Sequence, residues 1–237
     1  NYYLFMNIFF CHNKVGYDCL SWLVDSYITD IALVVVEEKN EIYDFCLANN
    51  LTVSVFQDES LLIDTIRNLP NSIVFGFLIW WPKILSAHLL NILNIDFINL
   101  HPSFLPFGKG KHYNFWAIVD KEPFGVSIHK VTQNVDEGDI LFQKTISFNW
   151  TDTGESLYYK AQAEITTLFR DNYLKIKEKD FVPIPQIKDS GSFHLSKELD
   201  AVCFLKLDDY YTVQELLNLL RARTFSGYPG CRFEDNG

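Results

Sequence analysis

A carboxamide and an imidazole two residues apart, Asn99 and His101, close the β-branched and aromatic run at 96–100 and are followed by Pro102. Side chains alternate across a strand, so these two point to one side and Leu100 to the other. Pro102 keeps His101 in extended backbone, which preserves that alternation to the strand end. Together the pair offers a fixed hydrogen-bond donor for an oxygen that becomes negative, and a group that exchanges protons near neutral pH. The alternative is that an Asn and a His at a strand end satisfy backbone groups of the following loop. His129 alternates with Ser127 on a later strand, and His12, His88, His112 and His194 show no metal-ligand spacing. Structural or solvated roles are expected for all five, and no metal is expected.

The elements that must position Asn99 and His101 follow from periodicity. The apolar opening, residues 1–11, reads as a first strand centred on 6–10, and further strands are expected at 31–36, 51–56, 72–77 and 96–100, with helical patterns between them. The unbroken run Ala32-Leu33-Val34-Val35-Val36 suits a strand covered on both faces, hence a mainly parallel sheet with right-handed crossovers, an α/β fold of Rossmann type. Such sheets bind ligands beyond the carboxyl ends of their strands, where the strand order reverses. After Leu100 come a Pro- and Gly-rich loop, a helix near Tyr113–Val119, and two strands near 124–130 and 140–148 that form an antiparallel extension.

Asp152, three residues before Glu155, opens a long helix over 156–177 in which Leu157, Ala161, Ile165, Leu168 and Ile176 follow helical spacing. Turn residues at 181–185 and 189–192 divide the chain into a body, 1–180, and a small C-terminal region, 181–237. There Thr212 and Glu215 form a capping-box signature for a helix running to about Arg223 and stopping before Gly227 and Pro229.

Of 237 residues, 48% are hydrophobic and 21% charged, as in an ordinary globular chain. A formal charge of -10 is the wrong sign for a surface built to neutralise nucleic-acid phosphates. The five cysteines lack Cys-x-x-Cys spacing and read as reduced, mostly buried thiols. The opening has no basic n-region and is too short to span a bilayer, so no membrane association is expected and the cytoplasm is the default compartment. Nothing after Phe10 reads Gly-x-Gly-x-x-Gly, which argues against a dinucleotide site.

The context of the pair narrows the chemistry. Asn99-Leu100-His101-Pro102-Ser103-Phe104-Leu105-Pro106 is followed by Gly108, Gly110 and Trp116-Ala117-Ile118, then by Gly125-Val126-Ser127-Ile128-His129 and Val135-Asp136-Glu137-Gly138-Asp139-Ile140. This stretch resembles the core of the formyltransferases that use 10-formyltetrahydrofolate. The resemblance implies that Asn99, His101 and Asp136 are the catalytic positions, all present without substitution. It also implies a reduced-folate formyl donor held by backbone around Phe77, Leu78, Ile79 and Trp80 and around Val135 and Gly138. Trp80 and Trp81 could flank a flat ring or pack internally. An Asp136 folded against His101 would orient the imidazole and stabilise its protonated form. A direct attack on the donor within a ternary complex needs no protein nucleophile.

The tail, from Thr212 through Arg221-Ala222-Arg223-Thr224-Phe225 to Gly227-Tyr228-Pro229-Gly230, and the loop Gly108-Lys109-Gly110-Lys111-His112-Tyr113-Asn114 resemble the sugar N-formyltransferase branch. That implies a nucleotide-linked amino sugar as acceptor, foremost dTDP-4-amino-4,6-dideoxyglucose, as used for surface polysaccharides such as lipopolysaccharide O-antigen. Lys109, Gly110, Lys111, Asn114, Arg221, Arg223 and Tyr228 are the candidate contacts, and a homodimer formed through the tail is expected. Basic groups on an acidic protein suit a pyrophosphate, although Arg221 and Arg223 also suit a helix C-terminus. Residues 231–237 read as a strand and turn without the returning strand of the family. Glycinamide ribonucleotide or methionyl-tRNA formylation are the rivals within the enzymes, and a catalytically inactive nucleotide-binding module is the rival outside them.

Overall fold

A computed structural model describes residues 6–69, 73–93 and 95–235. The first five strands of the chain are β1 (Met6–Cys11), β2 (Ile31–Val36), β3 (Val53–Val55), β4 (Ile73–Ile79) and β5 (Asp96–His101), and all pair in parallel. Residues 1–5 and Ser72, assigned to strands from the sequence, lie outside the described residues. A two-residue strand β6 (Lys109–Gly110) precedes β7 (Gly125–Lys130) and β8 (Ile140–Thr145), which extend the sheet antiparallel in the order β3-β2-β1-β4-β5-β7-β8. The order reverses between β1 and β4, so the crevice of an open sheet opens beside the carboxyl ends of β1, β4 and β5.

Every residue of β2 is buried, and alternation splits the core as the period of a strand requires. Phe9, Val34, Val36, Phe77 and Leu100 face the helices α1 (Asn13–Tyr27) and α6 (Gly154–Lys177), while Ile8, Phe10, Leu33, Val35 and Phe97 face the other side. That other side is covered by α3 (Glu59–Arg67) and α4 (Ala87–Ile92), and α2 (Glu41–Ala48) links β2 to β3. The helix between β4 and β5 begins only at Ala87. Trp80 has φ +58 and Pro82 follows it, so residues 80–86 turn away from helix.

The long helix also starts differently. Its N-cap is Thr153, reciprocally bonded with Ser156, rather than Asp152 with Glu155. Asp152 instead accepts from Asn149 N, Ser156 Oγ and Lys160 Nζ at 2.7–2.9 Å, a set of donors that outcompetes a single capping bond. The helix α5 (Tyr113–Val119) lies where expected, and α8 (Val213–Arg223) carries the Thr212–Glu215 capping box. The sequence pattern does not announce β6, β9 (Phe193–His194), which pairs with it, or α7 (Ser196–Val202). Residues 231–235 form no strand, only a single bridge of Arg232 to Phe204. All five cysteines are free and four are buried.

Candidate active site

Register builds the site. β5 and β7 pair antiparallel with Asn99 opposite His129 and His101 opposite Ser127, so the two polar residues of β5 share a face with those of β7. Asn99 Nδ2 lies 3.2 Å from His129 Nε2, and His129 Nδ1 lies 2.8 Å from the Lys130 carbonyl. A carbonyl only accepts, so Nδ1 carries a proton, and Nε2 is left to take Asn99's N–H. One amide proton of Asn99 remains for another acceptor.

His101 is buried, with Nε2 3.2 Å from the Gly108 carbonyl and Nδ1 3.5 Å from Asp136 Oδ1. The same Asp136 oxygen lies 3.6 Å from His129 Nε2, and its Oδ2 accepts from Gly110 N at 3.0 Å. Asp136 therefore stands between two imidazoles, 37 residues after Asn99 in sequence. It sits at φ +57, a conformation that Asp tolerates better than most residues. The turn is pinned at Gly138, where a Cβ would come within 1.8 Å of the Lys130 carbonyl.

Burial lowers the pKa of His101 below its ordinary value. Asp136 pulls it up, but His129 adds to the lowering, so the imidazole is neutral at pH 7. Burial works against ionisation of Asp136, yet the positive charge that His101 and His129 carry when protonated, together with the Gly110 N–H, outweighs it and holds the carboxyl far below the usual range. The resting pair is thus a neutral base against a carboxylate. His101, His129 and Asp136 offer ligating atoms within 4.8 Å of one another, but the His129 Nε2 lone pair already receives Asn99, which suits proton handling better than coordination.

Two cavities adjoin in this region, and the site opens into the larger. The larger, about 700 Å³, runs from His12 and Trp80 past Leu85 to Asn99, His101 and Asp136. The smaller, about 620 Å³, is walled by Lys14, Asn114, Tyr158, Arg223, Phe225 and Tyr228. Asn13, His112, Tyr113 and Tyr158 line both. Of the positions expected at the folate, Leu78, Trp80 and Val135 line the larger cavity, whereas the Phe77 and Ile79 side chains are in the core. Trp81 lines the same cavity and also packs edge-on against Phe10 and Phe56.

Among the expected acceptor contacts, Gly110 and Lys111 line the larger cavity, and Asn114, Arg223 and Tyr228 the smaller. Lys109 and Arg221 line neither. Lys109 is buried, with Nζ 3.3 Å from the Ser190 carbonyl and 3.9 Å from Glu137. Arg221 bonds the carbonyls of Asn149 and Asp152 and lies over the Trp150 ring. Sequence reasoning missed His129, Lys14 and Tyr158. Only the pairing of β7 with β5 singles out His129, and only the packing of α1 and α6 against the tail singles out the other two.

The comparisons with known proteins agree with this geometry. The formyl transferase family profile matches residues 29–170, and the N-formyltransferase dimerization C-terminal domain matches 198–237. The bifunctional polymyxin resistance protein ArnA of Wigglesworthia glossinidia brevipalpis is 27% identical over 235 residues; the match covers 94% of this chain but only 35% of that protein. A 4-N formyltransferase from Francisella tularensis superposes with a TM-score of 0.83 at 22% identity, covering 99% of this chain and 94% of that one. The N-formyltransferase from Helicobacter canadensis, solved with folinic acid and dTDP-3-aminofucose, gives 0.79 at 20% identity over 98% of this chain and 84% of that one. With more than half of its length matched by the family profile, the chain belongs to the formyl transferase family.

Proposed function

We propose that this chain transfers a formyl group from 10-formyltetrahydrofolate to the amine of a nucleotide-linked amino sugar, by direct attack in a ternary complex. The observation that carries the reading is the convergence of Asn99, His101 and Asp136 in the larger cavity, which shares Asn13, His112, Tyr113 and Tyr158 with the smaller one. The larger cavity, apolar along Trp80 and Leu85 with polar groups at one end, suits a flat folate ring; the smaller suits the acceptor. The folate supplies an activated formamide. A carbon–nitrogen bond forms to the acceptor amine, the bond to the folate nitrogen breaks, and one proton passes from the amine to the departing nitrogen.

The residues divide that work. The uncommitted amide proton of Asn99 stabilises the oxygen that turns negative in the tetrahedral intermediate. Neutral His101 accepts a proton at Nδ1, because Nε2 already donates to Gly108, and Asp136 then faces the new imidazolium. No thiol is needed: burial pushes Cys19 and Cys46 up to about 12 and Cys11 well above its ordinary value. Cys231, lowered to about 7 by the Cys203 hydrogen bond, lines neither cavity.

The nucleotide is read from charge. Lys14, Lys111 and Arg223 face the cavities of a protein of net charge -10, and Arg223 Nε is buried without a hydrogen-bond partner among the described residues. A pyrophosphate supplies the missing acceptor. The Helicobacter relative's dTDP-linked ligand and the Francisella relative's 4-N specificity favour dTDP-4-amino-4,6-dideoxyglucose as the first acceptor to test, with a place in surface-polysaccharide synthesis in the cytoplasm. Among the described residues no helix is long and apolar enough to cross a membrane.

In this reading residues 1–180 carry the chemistry and 181–237 the acceptor and a homodimer contact. Val213, Leu217 and Leu220 expose an apolar stripe along α8, in the region matched by the dimerization profile. A spectrophotometric assay for tetrahydrofolate, run over a panel of nucleotide amino sugars, tests reaction and acceptor together. Turnover with none of the panel, or with glycinamide ribonucleotide alone, would remove the sugar reading.

A further inference from the structure

Asp136 is held at its carboxylate and at its backbone carbonyl, and both holds lead to one segment that the formyl transferase match, ending at residue 170, does not cover. After α6 the chain runs back along the open edge of the sheet, where Ile184 and Ile140 exchange backbone hydrogen bonds of 2.9 and 2.8 Å. Two residues on, Gln186 Nε2 donates to the carbonyls of Asp136 at 2.9 Å and Gly138 at 2.7 Å. Two carbonyls can be met only by the NH₂ end, which fixes the amide's orientation. Further along, Ser192 accepts from Lys109 N through its carbonyl and from Gly108 N through its hydroxyl, and the His194 carbonyl accepts from Lys111 N. Between those anchors lies Gly110, whose N–H donates to Asp136 Oδ2.

We infer that Gln186 is a positioning residue for Asp136, and that the segment from Ile184 to His194 belongs to the active site by holding both loops that aim the carboxylate at His101. The inference rests on the formyltransferase reading. Its physical basis is the 3.5 Å gap between Asp136 and His101, longer than a hydrogen bond and so sensitive to small shifts of the Asp136 backbone. The loop packs closely on the Lys130 carbonyl at Gly138 and is bonded at two carbonyls by Gln186. A purely structural staple would be a poor one, since Gln186 Oε1 is buried with no hydrogen-bond partner among the described residues. An apolar residue of the same length would relieve that orphan but leave two carbonyls without their donor, so rates are compared per folded molecule.

The test uses the full chain with Gln186→Met and, as a near-isosteric variant that loses the NH₂ donors at neutral pH, Gln186→Glu. Both should lower kcat about 10- to 100-fold while KM for the amino sugar stays within about threefold, the signature of a displaced reacting group rather than of lost binding. Independently of turnover, the NMR titration midpoint of the His101 imidazole in the uncharged Gln186→Met variant, assigned by its loss in His101→Ala, should move to lower pH as Asp136 withdraws. A wild-type protein inactive on every acceptor would defeat the formyltransferase reading and leave the titration to decide this one. An unshifted His101 midpoint, or loss of folding in both variants, would assign Gln186 to the fold alone and overturn the proposal.

Discussion

Two buried carboxylates, Asp30 and Asp136, lie in different parts of the same domain and are treated in opposite ways. Asp30 receives the Tyr173 hydroxyl at 2.9 Å and the Lys177 ammonium at 2.8 Å, and Tyr173 is in turn held by Asn7. Every donor there points at its acceptor, and the network ties the last turn of α6 to β1. Asp136 has a single close donor, Gly110 N, and faces two imidazoles across 3.5 and 3.6 Å. A satisfied carboxylate holds a fold. One left half-satisfied beside a neutral base is ready to gain when that base takes up a proton.

That contrast breaks first at His101. His101→Ala should lower kcat by about 10³-fold, within the range for losing a general base, with a thermal midpoint close to wild type. A comparable rate in the variant would sink the division between the two sites. The counterpart is Asp30→Ala, which strands the Lys177 charge and should cost about 3 kcal/mol in denaturant unfolding while formyl transfer per folded molecule is unchanged. Asn99→Ala should cost about 10²-fold in kcat for the lost oxyanion donor, and a change confined to KM would instead make Asn99 a binding group.

A smaller effect separates two arginines of one helix. Arg223→Ala should raise KM for the nucleotide sugar about tenfold, the worth of one charge-assisted hydrogen bond, whereas Arg221→Ala should leave KM alone and loosen the tail. Equal effects on KM would erase the distinction. The mildest prediction concerns pH. Because burial lowers the His101 pKa, kcat/KM should stay level through neutrality and fall only as acid protonates His101, below its ordinary value of about 6.5. In Asp136→Asn that acid limb should move lower still, since the carboxylate that raises the His101 pKa is gone; a limb moving upward would contradict the pairing.

Much of this was readable in order along the chain. The alternation of Asn99, Leu100 and His101, the two-sided burial of β2, the antiparallel extension and the capping box at Thr212 each depend on neighbours within a few residues. The misses share one cause. His129 looked structural because its partner, Asn99, is 30 residues away and only strand register sets them opposite. Lys109 and Lys111 have the same strand parity, yet one is buried against Ser190 and the other lines a cavity, which the fold of the 190s decides. Arg221 and Arg223 looked equivalent, but positions two apart on a helix point about 200° apart, so one lies over Trp150 and the other reaches the smaller cavity.

By itself the sequence determined the α/β class, the strand that presents an amide and an imidazole together, and the absence of a charge suited to nucleic acid, because periodicity and charge are properties of local chain and composition. Only the tertiary structure decided that Asp136 stands between two imidazoles, that the tail closes a second cavity, and that residues after the long helix return to brace the catalytic loop. Those contacts join segments 26 to 84 positions apart. Their existence depends on which strands pair and which loops the packed core forces together, and no local preference encodes that.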